Sequence, residues 1–274
     1  MDRKALKETA RQHVREAQGS PKKVTLIFLL GILLLSALRF LLTEVVGSLN
    51  LGGDYLSQSL SSEAKVMAIS YVVSFGMQVL MTLLCIGYTA VAMDMKDGTS
   101  ISPKSLLAGF HGAGRSILAY VLMDLFLALW ASLWSVPVSY ILSMVLMMGG
   151  GELNQSGLLL ISLVYVAAML FVLSYRYRML FFILMDDPEI SARQALRKAT
   201  AMTRGHRWQL FLLDLSFLPW MLLGILTCGI LLIWKLPYMI TTYACVYDDL
   251  LLNYQEKQQK FAKMREEFMN QRSE

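Results

Sequence analysis

Five long apolar stretches constrain this chain more than any other feature of its sequence. They cover residues 24–46, 66–93, 117–148, 158–185 and 209–252. A helix crosses the roughly 30 Å hydrocarbon core of a bilayer with about 20 residues, so each of the first four stretches is long enough for one span. The fifth is too long for one span, and Gly224 and Gly229 near its middle predict a tight turn between two spans. The sequence therefore predicts an all-α, polytopic integral membrane protein with six transmembrane helices.

The composition agrees with lipid as the main solvent. The chain of 274 residues is 56% hydrophobic and 16% charged, with a mean hydropathy of +0.51, which exceeds what one soluble core normally buries. A net charge of +5 would favour nucleic acid as the partner of a soluble protein. Here the bases flank the apolar stretches, so membrane orientation and anionic headgroups explain them better. We expect membrane lipid, and no nucleic acid, as a partner.

Lysine and arginine alternate between the two predicted sides of the membrane. Residues 1–23, 94–115, 176–208 and the segment after residue 248 hold all but three of the 25 lysines and arginines. The intervening loops carry the acids Glu44, Asp54, Glu63 and Glu152, with Lys65 as a base. Because cytoplasmic loops are enriched in lysine and arginine, both termini are predicted to be cytoplasmic.

Each pair of predicted spans follows a segment with the pattern of a juxtamembrane amphipathic helix. These segments are ALKETARQHVRE, SPKSLLAGFHG and SARQALRKATAMTRG. After the second and third, Asp124 and Asp214 occupy equivalent places, which favours a threefold helix-plus-hairpin repeat. The units would be residues 1–93, 101–185 and 188–250, within a single membrane domain, 1–252, followed by a charged cytoplasmic tail, 253–274. Chance similarity between apolar sequences remains the alternative explanation, and for the tail both a helix and a frayed end remain open.

The third segment has the clearest helix signals. Pro188 predicts the start of a helix, and Gly205 predicts its end. Such a helix would lie on the cytoplasmic leaflet, where its bases are candidate contacts of lipid headgroups. These bases are Arg193, Arg197, Lys198, Arg204 and Arg207. The alternative is a connecting segment whose bases only reflect the enrichment of lysine and arginine in cytoplasmic loops.

Four charged side chains form a candidate intramembrane polar cluster. Asp124 and Asp214 lie early in their apolar stretches, and Arg176 and Arg178 lie about 10 to 15 Å from the cytoplasmic end of the fourth stretch if its helix is continuous. The two arginines project about 200° apart on a helix, so only one faces inward. We expect Arg176 to pair with Asp214 or Asp124 in a bidentate fork. Such a cluster serves either as a substrate or proton pathway or as a clasp between spans.

Sequence signatures of catalysis are lacking. The chain contains no HExxH, no GxSxG, no Walker loop and no dinucleotide fingerprint. Its histidines, His13, His111 and His206, fall in predicted cytoplasmic segments, and its three cysteines have no CxxC spacing. We expect neither metal nor cofactor, and we expect the protein not to be an enzyme.

The C-terminal half resembles a known family. YRYRMLFFILMDDP, GHRWQLFLLDLSFLPW, the LTCGI turn and IWKLPYMITTYACVYDDL resemble the bacterial membrane proteins catalogued as domain of unknown function 975. The resemblance implies an uncharacterised multi-pass plasma-membrane protein and assigns no activity, ligand or catalytic residue. In this chain Leu218 and Pro219 stand where the family pattern leads us to expect Ile-Gly.

The function predicted from these patterns is that of a non-enzymatic membrane protein. It would assist membrane or envelope processes by binding lipid or a partner protein, with a second copy of the chain as one such partner. The alternative is a small transporter that uses the Asp/Arg cluster, and an intramembrane enzyme comes third. A wet cavity at the cluster would favour transport, whereas satisfied partners in a dry site would favour a clasp.

Overall fold

The computed structural model describes residues 2–50, 60–148 and 155–273, and these residues form helices and connecting turns without a β-strand. The α-helices are α1 (Arg3–Glu16), α2 (Pro21–Asn50), α3 (Leu60–Asp97), α4 (Ala113–Met148), α5 (Gln155–Ser174), α6 (Leu180–Asp186), α7 (Ala192–Thr203), α8 (Arg207–Leu226) and α9 (Leu232–Ser273). Two 3₁₀ segments, Pro103–Phe110 and Tyr175–Tyr177, lie between them. The predicted all-α class is confirmed. The acids Asp54 and Glu152 of the predicted outer loops lie outside the described residues.

Several helices have the length and apolarity of membrane spans. In the described part of the chain five qualify: Pro21–Ser48, Ala64–Asp97, Ala113–Ile141, Leu160–Asp186 and Arg207–Leu226. Large apolar side chains are exposed around α2 and α4, among them Leu33, Leu34, Phe40, Leu129 and Leu133. A helix in water keeps a polar face, so these surfaces suggest a membrane protein.

The predicted sixth span is not confirmed. A turn at residues 227–231 does separate α8 from α9, and it uses positive φ angles at Cys228 (48°) and Gly229 (85°). The predicted hairpin turn is therefore present. The apolar half of α9, however, contains Lys235, Pro237 and several threonines and tyrosines, which keep it out of the set of apolar helices.

Three local predictions need correction. The second juxtamembrane segment forms the 3₁₀ segment Pro103–Phe110 rather than an α-helix. The third helix starts at Ala192, capped by Ser191, and not near Pro188, because Ser191 and Gln194 form a reciprocal capping box. The fourth apolar stretch is not one continuous helix, since the 3₁₀ segment Tyr175–Tyr177 separates α5 from α6. The C-terminal tail is helical, which was one of its two predicted alternatives, because α9 continues to Ser273.

The structure divides into two compact units. The first contains residues 1–117 and 216–248, and the second contains residues 118–215 and 249–274. These limits differ from those of the predicted threefold repeat, which is not confirmed.

The first unit is built on close contact between α3 and the 3₁₀ segment Pro103–Phe110. Gly87 of α3 faces the Leu106 backbone, and Gly109 of the segment faces the Leu83 backbone. At both positions a Cβ atom would overlap a carbonyl oxygen, so only glycine fits. Tyr88, next to Gly87, stacks on Phe28 of α2 with ring centroids 4.2 Å apart. The two glycines therefore set the distance between α3 and this segment.

The C-terminal part of the first unit is also packed against α3. Lys96 donates a hydrogen bond to the Asp248 carboxylate at 2.8 Å, and the Thr241 hydroxyl lies 3.6 Å from the Met95 sulfur. Residues 241–247 of α9 are all buried, although the stretch includes two threonines and two tyrosines. This part of α9 is thus covered by protein.

Candidate functional site

The break in the fourth apolar stretch creates a polar cluster around Asp214 of α8. The Tyr175 hydroxyl donates a hydrogen bond to Asp214 Oδ2 at 2.7 Å. Arg178 Nη2 donates to Asp214 Oδ1 at 3.0 Å and forms an ion pair with it. Both carboxylate oxygens are therefore occupied, each by a different side chain. All three residues belong to the second unit.

The expected pairing through Arg176 is wrong, because Arg178 takes that place. The prediction assumed a continuous α-helix, whereas Tyr175–Tyr177 is a 3₁₀ segment with three residues per turn. In that geometry residues i and i+3 eclipse, so Tyr175 and Arg178 point the same way. The carboxylate is also not held by an arginine alone, since Tyr175 provides a second donor. The sequence signal for Tyr175 was its spacing of three residues from Arg178.

Arg176 instead lies among aromatic rings. Its guanidinium is 5.9 Å from the ring centroid of Trp130 and 5.9 Å from that of Tyr177. Its Nε atom is buried and has no hydrogen-bond partner among the described residues. At these distances its guanidinium makes cation–π contacts with both rings.

Asp124 does not join the cluster. Its side chain is exposed, and it makes no hydrogen bond or ion pair with the residues that the structure describes. The structure thus places Asp214 and Arg178 together, adds Tyr175, and leaves Asp124 and Arg176 outside.

The surroundings of Asp214 are aromatic and mostly shielded from solvent. The side chain of Asp214 is 17% exposed, and that of Arg178 is 40% exposed. The Tyr175 ring packs edge-on against Phe171, at 5.2 Å, and Phe211, at 6.3 Å. With both oxygens engaged by fixed donors, this carboxylate is placed to join α8 to the 3₁₀ segment. Within the described ranges no group of three or more His, Cys, Asp or Glu side chains is arranged to hold a metal ion.

A basic surface lies on α7 and the residues that follow it. One face of α7 is buried through Ala192, Ala195, Leu196, Ala199 and Met202. On the other faces Arg193 and Arg197 are exposed and Lys198 is half-buried; beyond the helix, Arg204 is exposed and Arg207 is half-buried. The five predicted headgroup contacts are therefore accessible to different degrees.

The end of α7 lies close to the 3₁₀ segment of the Asp214 cluster. The Thr203 hydroxyl, at the end of α7, is 3.2 Å from the carbonyl oxygen of Arg176 and within hydrogen-bonding distance of it. Trp208 follows at the start of α8 with 67% of its surface exposed, stacked on Phe211. An exposed tryptophan beside bases is typical of a membrane–water interface.

Fold and site together define a class of protein: all-helical, with several apolar helices that fit a membrane, and with a polar cluster and a basic helix. The chain belongs to the family described as "Protein of unknown function (DUF975)", whose model matches residues 1–253. The resemblance seen in the sequence is thereby confirmed. No curated protein and no solved structure matches the chain.

Proposed function

We propose that this protein is a non-enzymatic, six-span membrane protein whose cytoplasmic surface binds anionic lipid headgroups. The observation that carries the proposal is the two-sided character of α7. Its small apolar residues pack against protein, while Arg193 and Arg197, one turn apart, project outward. Through such binding it would assist a process of the membrane or envelope.

The physical basis is the negative surface potential of a cytoplasmic leaflet. That potential stabilises each nearby lysine or arginine by about 1 kcal/mol. Arg204 continues the basic surface beyond α7, and Trp208 provides an amphipathic ring at the same end of α8. Arginine also matches phosphate oxygens with a planar fork of donors. The basic surface therefore suits phosphate headgroups better than a neutral bilayer.

The transporter alternative receives less support from the cluster. A transport site needs a carboxylate that exchanges partners, whereas both oxygens of Asp214 are already held by Tyr175 and Arg178. We therefore propose that the cluster is a clasp.

The proposed sixth span is the apolar half of α9. Its two threonines, Tyr243 and Tyr247 are buried in the first unit, and a helix shielded from lipid tolerates such residues. This topology places residues 227–231 on the outer side of a plasma membrane and both termini in the cytoplasm.

The native Cys228 tests this topology, because it is exposed in the turn between α8 and α9. In a chain with Cys85 and Cys245 replaced by alanine, we expect a membrane-impermeant maleimide to label Cys228 in intact cells. A matched chain whose sole cysteine is introduced by Ser273→Cys should react only after the cells are opened. Labelling of Cys228 only in opened cells would contradict the six-span topology.

The lipid proposal predicts a loss of anionic lipid when the basic surface is neutralised. We expect Arg193→Gln, Arg197→Gln and Arg204→Gln to weaken phosphatidylglycerol binding by about fivefold for each charge removed. Native mass spectrometry of the purified protein would measure retained phosphatidylglycerol against phosphatidylcholine. The matched control removes three exposed bases from the far part of α9 through Lys257→Gln, Lys260→Gln and Lys263→Gln. Equal losses in both variants would show a nonspecific charge effect and refute a site on α7.

A further inference from the structure

The N-terminal helix α1 packs against residues of α8 and α9 in the first unit. Lys7 Nζ donates a hydrogen bond to the Ser216 hydroxyl at 2.6 Å and lies 4.8 Å from the Phe217 ring centroid. Arg11 is 5.3 Å from the ring centroid of Tyr238. Ala10, on the same side of α1, is fully buried. This helix is therefore held by specific contacts.

These contacts lie far from the ends of a candidate span. Ser216 and Phe217 fall in the middle of α8, Arg207–Leu226, which is about 30 Å long. Charged side chains at that depth in hydrocarbon cost several kcal/mol unless they face water or a partner. Most of the charged residues of α1 are exposed, including Arg3, Lys4 and Arg11. In a spanning α8, the exposed side of α1 would consequently require water at the level of Ser216.

A cavity is present at this place. It has a volume of about 530 Å³ and is lined by Asp2, Arg3, Lys4, Lys7 and Ser216. The Asp2 carboxylate already caps α1 by accepting hydrogen bonds from the backbone N–H groups of Lys4 and Ala5. The bases of the lining therefore outnumber its one acid, and that acid is partly engaged.

The electrostatics of Lys7 agree with an excess of positive charge. Partial burial lowers the pKa of Lys7, and repulsion by Arg3 and by Arg11 lowers it further. An anion entering the cavity would relieve this repulsion.

We propose that α1 lines a water-filled vestibule that reaches Ser216 from the cytoplasmic side and attracts anions through Arg3, Lys4 and Lys7. The inference rests on the proposed six-span topology, because only a spanning α8 places Ser216 within the bilayer. The ligand chemistry is an oxyanion such as phosphate, either free in the cytosol or carried by a lipid headgroup.

The test uses the accessibility and charge preference of a single cysteine at Ser216. In a chain with Cys85, Cys228 and Cys245 replaced by alanine, Ser216→Cys is treated in inside-out vesicles with two membrane-impermeant thiol reagents of opposite charge. These are sulfonatoethyl and trimethylammonioethyl methanethiosulfonate. Each reaction rate is divided by the rate of the same reagent with a free thiol in solution. After this normalisation, we expect the anionic reagent to react about tenfold faster than the cationic one. In nanodiscs of phosphatidylcholine, either added inorganic phosphate or admixed phosphatidylglycerol should slow the reaction, which distinguishes a soluble anion from a headgroup.

Two controls separate the vestibule from general exposure. Leu218→Cys lies two residues further along α8, on nearly the opposite side of the helix, and should be unreactive because its 44% exposed side chain faces lipid. Arg3→Gln with Lys4→Gln should reduce the charge preference at Ser216→Cys several-fold, because only Lys7 of the three bases remains, while leaving the cysteine accessible. An unreactive Ser216→Cys, an absence of charge preference, or an absence of protection by both phosphate and phosphatidylglycerol would overturn the proposal. Failure of the Cys228 labelling would instead overturn the topology.

Discussion

Replacement of Gly87 by alanine is expected to prevent α3 from packing against the 3₁₀ segment Pro103–Phe110. The added methyl group would overlap the carbonyl oxygen of Leu106, which is backbone and has no alternative rotamer. Ordinary overpacking of a core costs about 1–3 kcal/mol, and a backbone overlap should exceed that range. We therefore expect little monodisperse protein after detergent extraction, measured by size-exclusion chromatography, and a strongly lowered thermal midpoint.

A second glycine of the same helix provides the control. Gly76 of α3 has no heavy atom within 4 Å of the position where its Cβ would be. Alanine is favoured over glycine inside a helix by about 1 kcal/mol, so Gly76→Ala should be neutral or stabilising. If Gly87→Ala proved as stable as Gly76→Ala, the close contact between α3 and the segment would not exist. The reciprocal change Gly109→Ala should resemble Gly87→Ala, because its methyl group would meet the Leu83 carbonyl.

The second large effect is expected at Asp214. Asp214→Asn keeps the shape of the side chain and removes the charge that Arg178 pairs with. Hydrogen bonds to charged groups contribute about 1.5–3 kcal/mol, and the partial exposure of Arg178 places the expected loss near 2 kcal/mol. Thermal unfolding in lipid nanodiscs would measure it as a clearly lowered midpoint.

Asp124→Asn is the matched control for charge removal in the same unit. Asp124 is exposed and has no polar partner among the described residues, so its substitution should leave the midpoint nearly unchanged. A double-mutant cycle of Asp214→Asn with Arg178→Met should give a clear coupling energy, whereas Arg176→Met should add independently. If Asp214→Asn were as stable as the unchanged protein, the clasp hypothesis would be refuted and the transport hypothesis would regain support.

The sequence predicted what depends on composition and helical length. Apolar stretches of span length give helices almost regardless of their neighbours, because backbone groups in lipid must be satisfied internally. The turn near Gly229 could also be predicted from the sequence, because a positive φ angle there favours glycine.

What the sequence did not reveal depends on local geometry. The choice of Arg178 over Arg176 follows from three 3₁₀ residues, and no periodicity in YRYR distinguishes that geometry from an α-helix. Tyr175 was missed as a donor for the same reason. Gly87 and Gly109 carried no signal either, because their importance comes from a contact between two segments.

The interlocked glycines also bear on how the chain inserts during synthesis. Gly87 and Gly109 are close in sequence, and the loop between them is short, so closing it costs little chain entropy. Their contact needs only α3 and the segment directly after it, and the Phe28–Tyr88 stack needs only the helix before. The first two apolar helices and this segment can thus pack together without any later part of the chain. In a translocon, two helices that pack against each other in this way would pass into the bilayer together rather than as two separate spans.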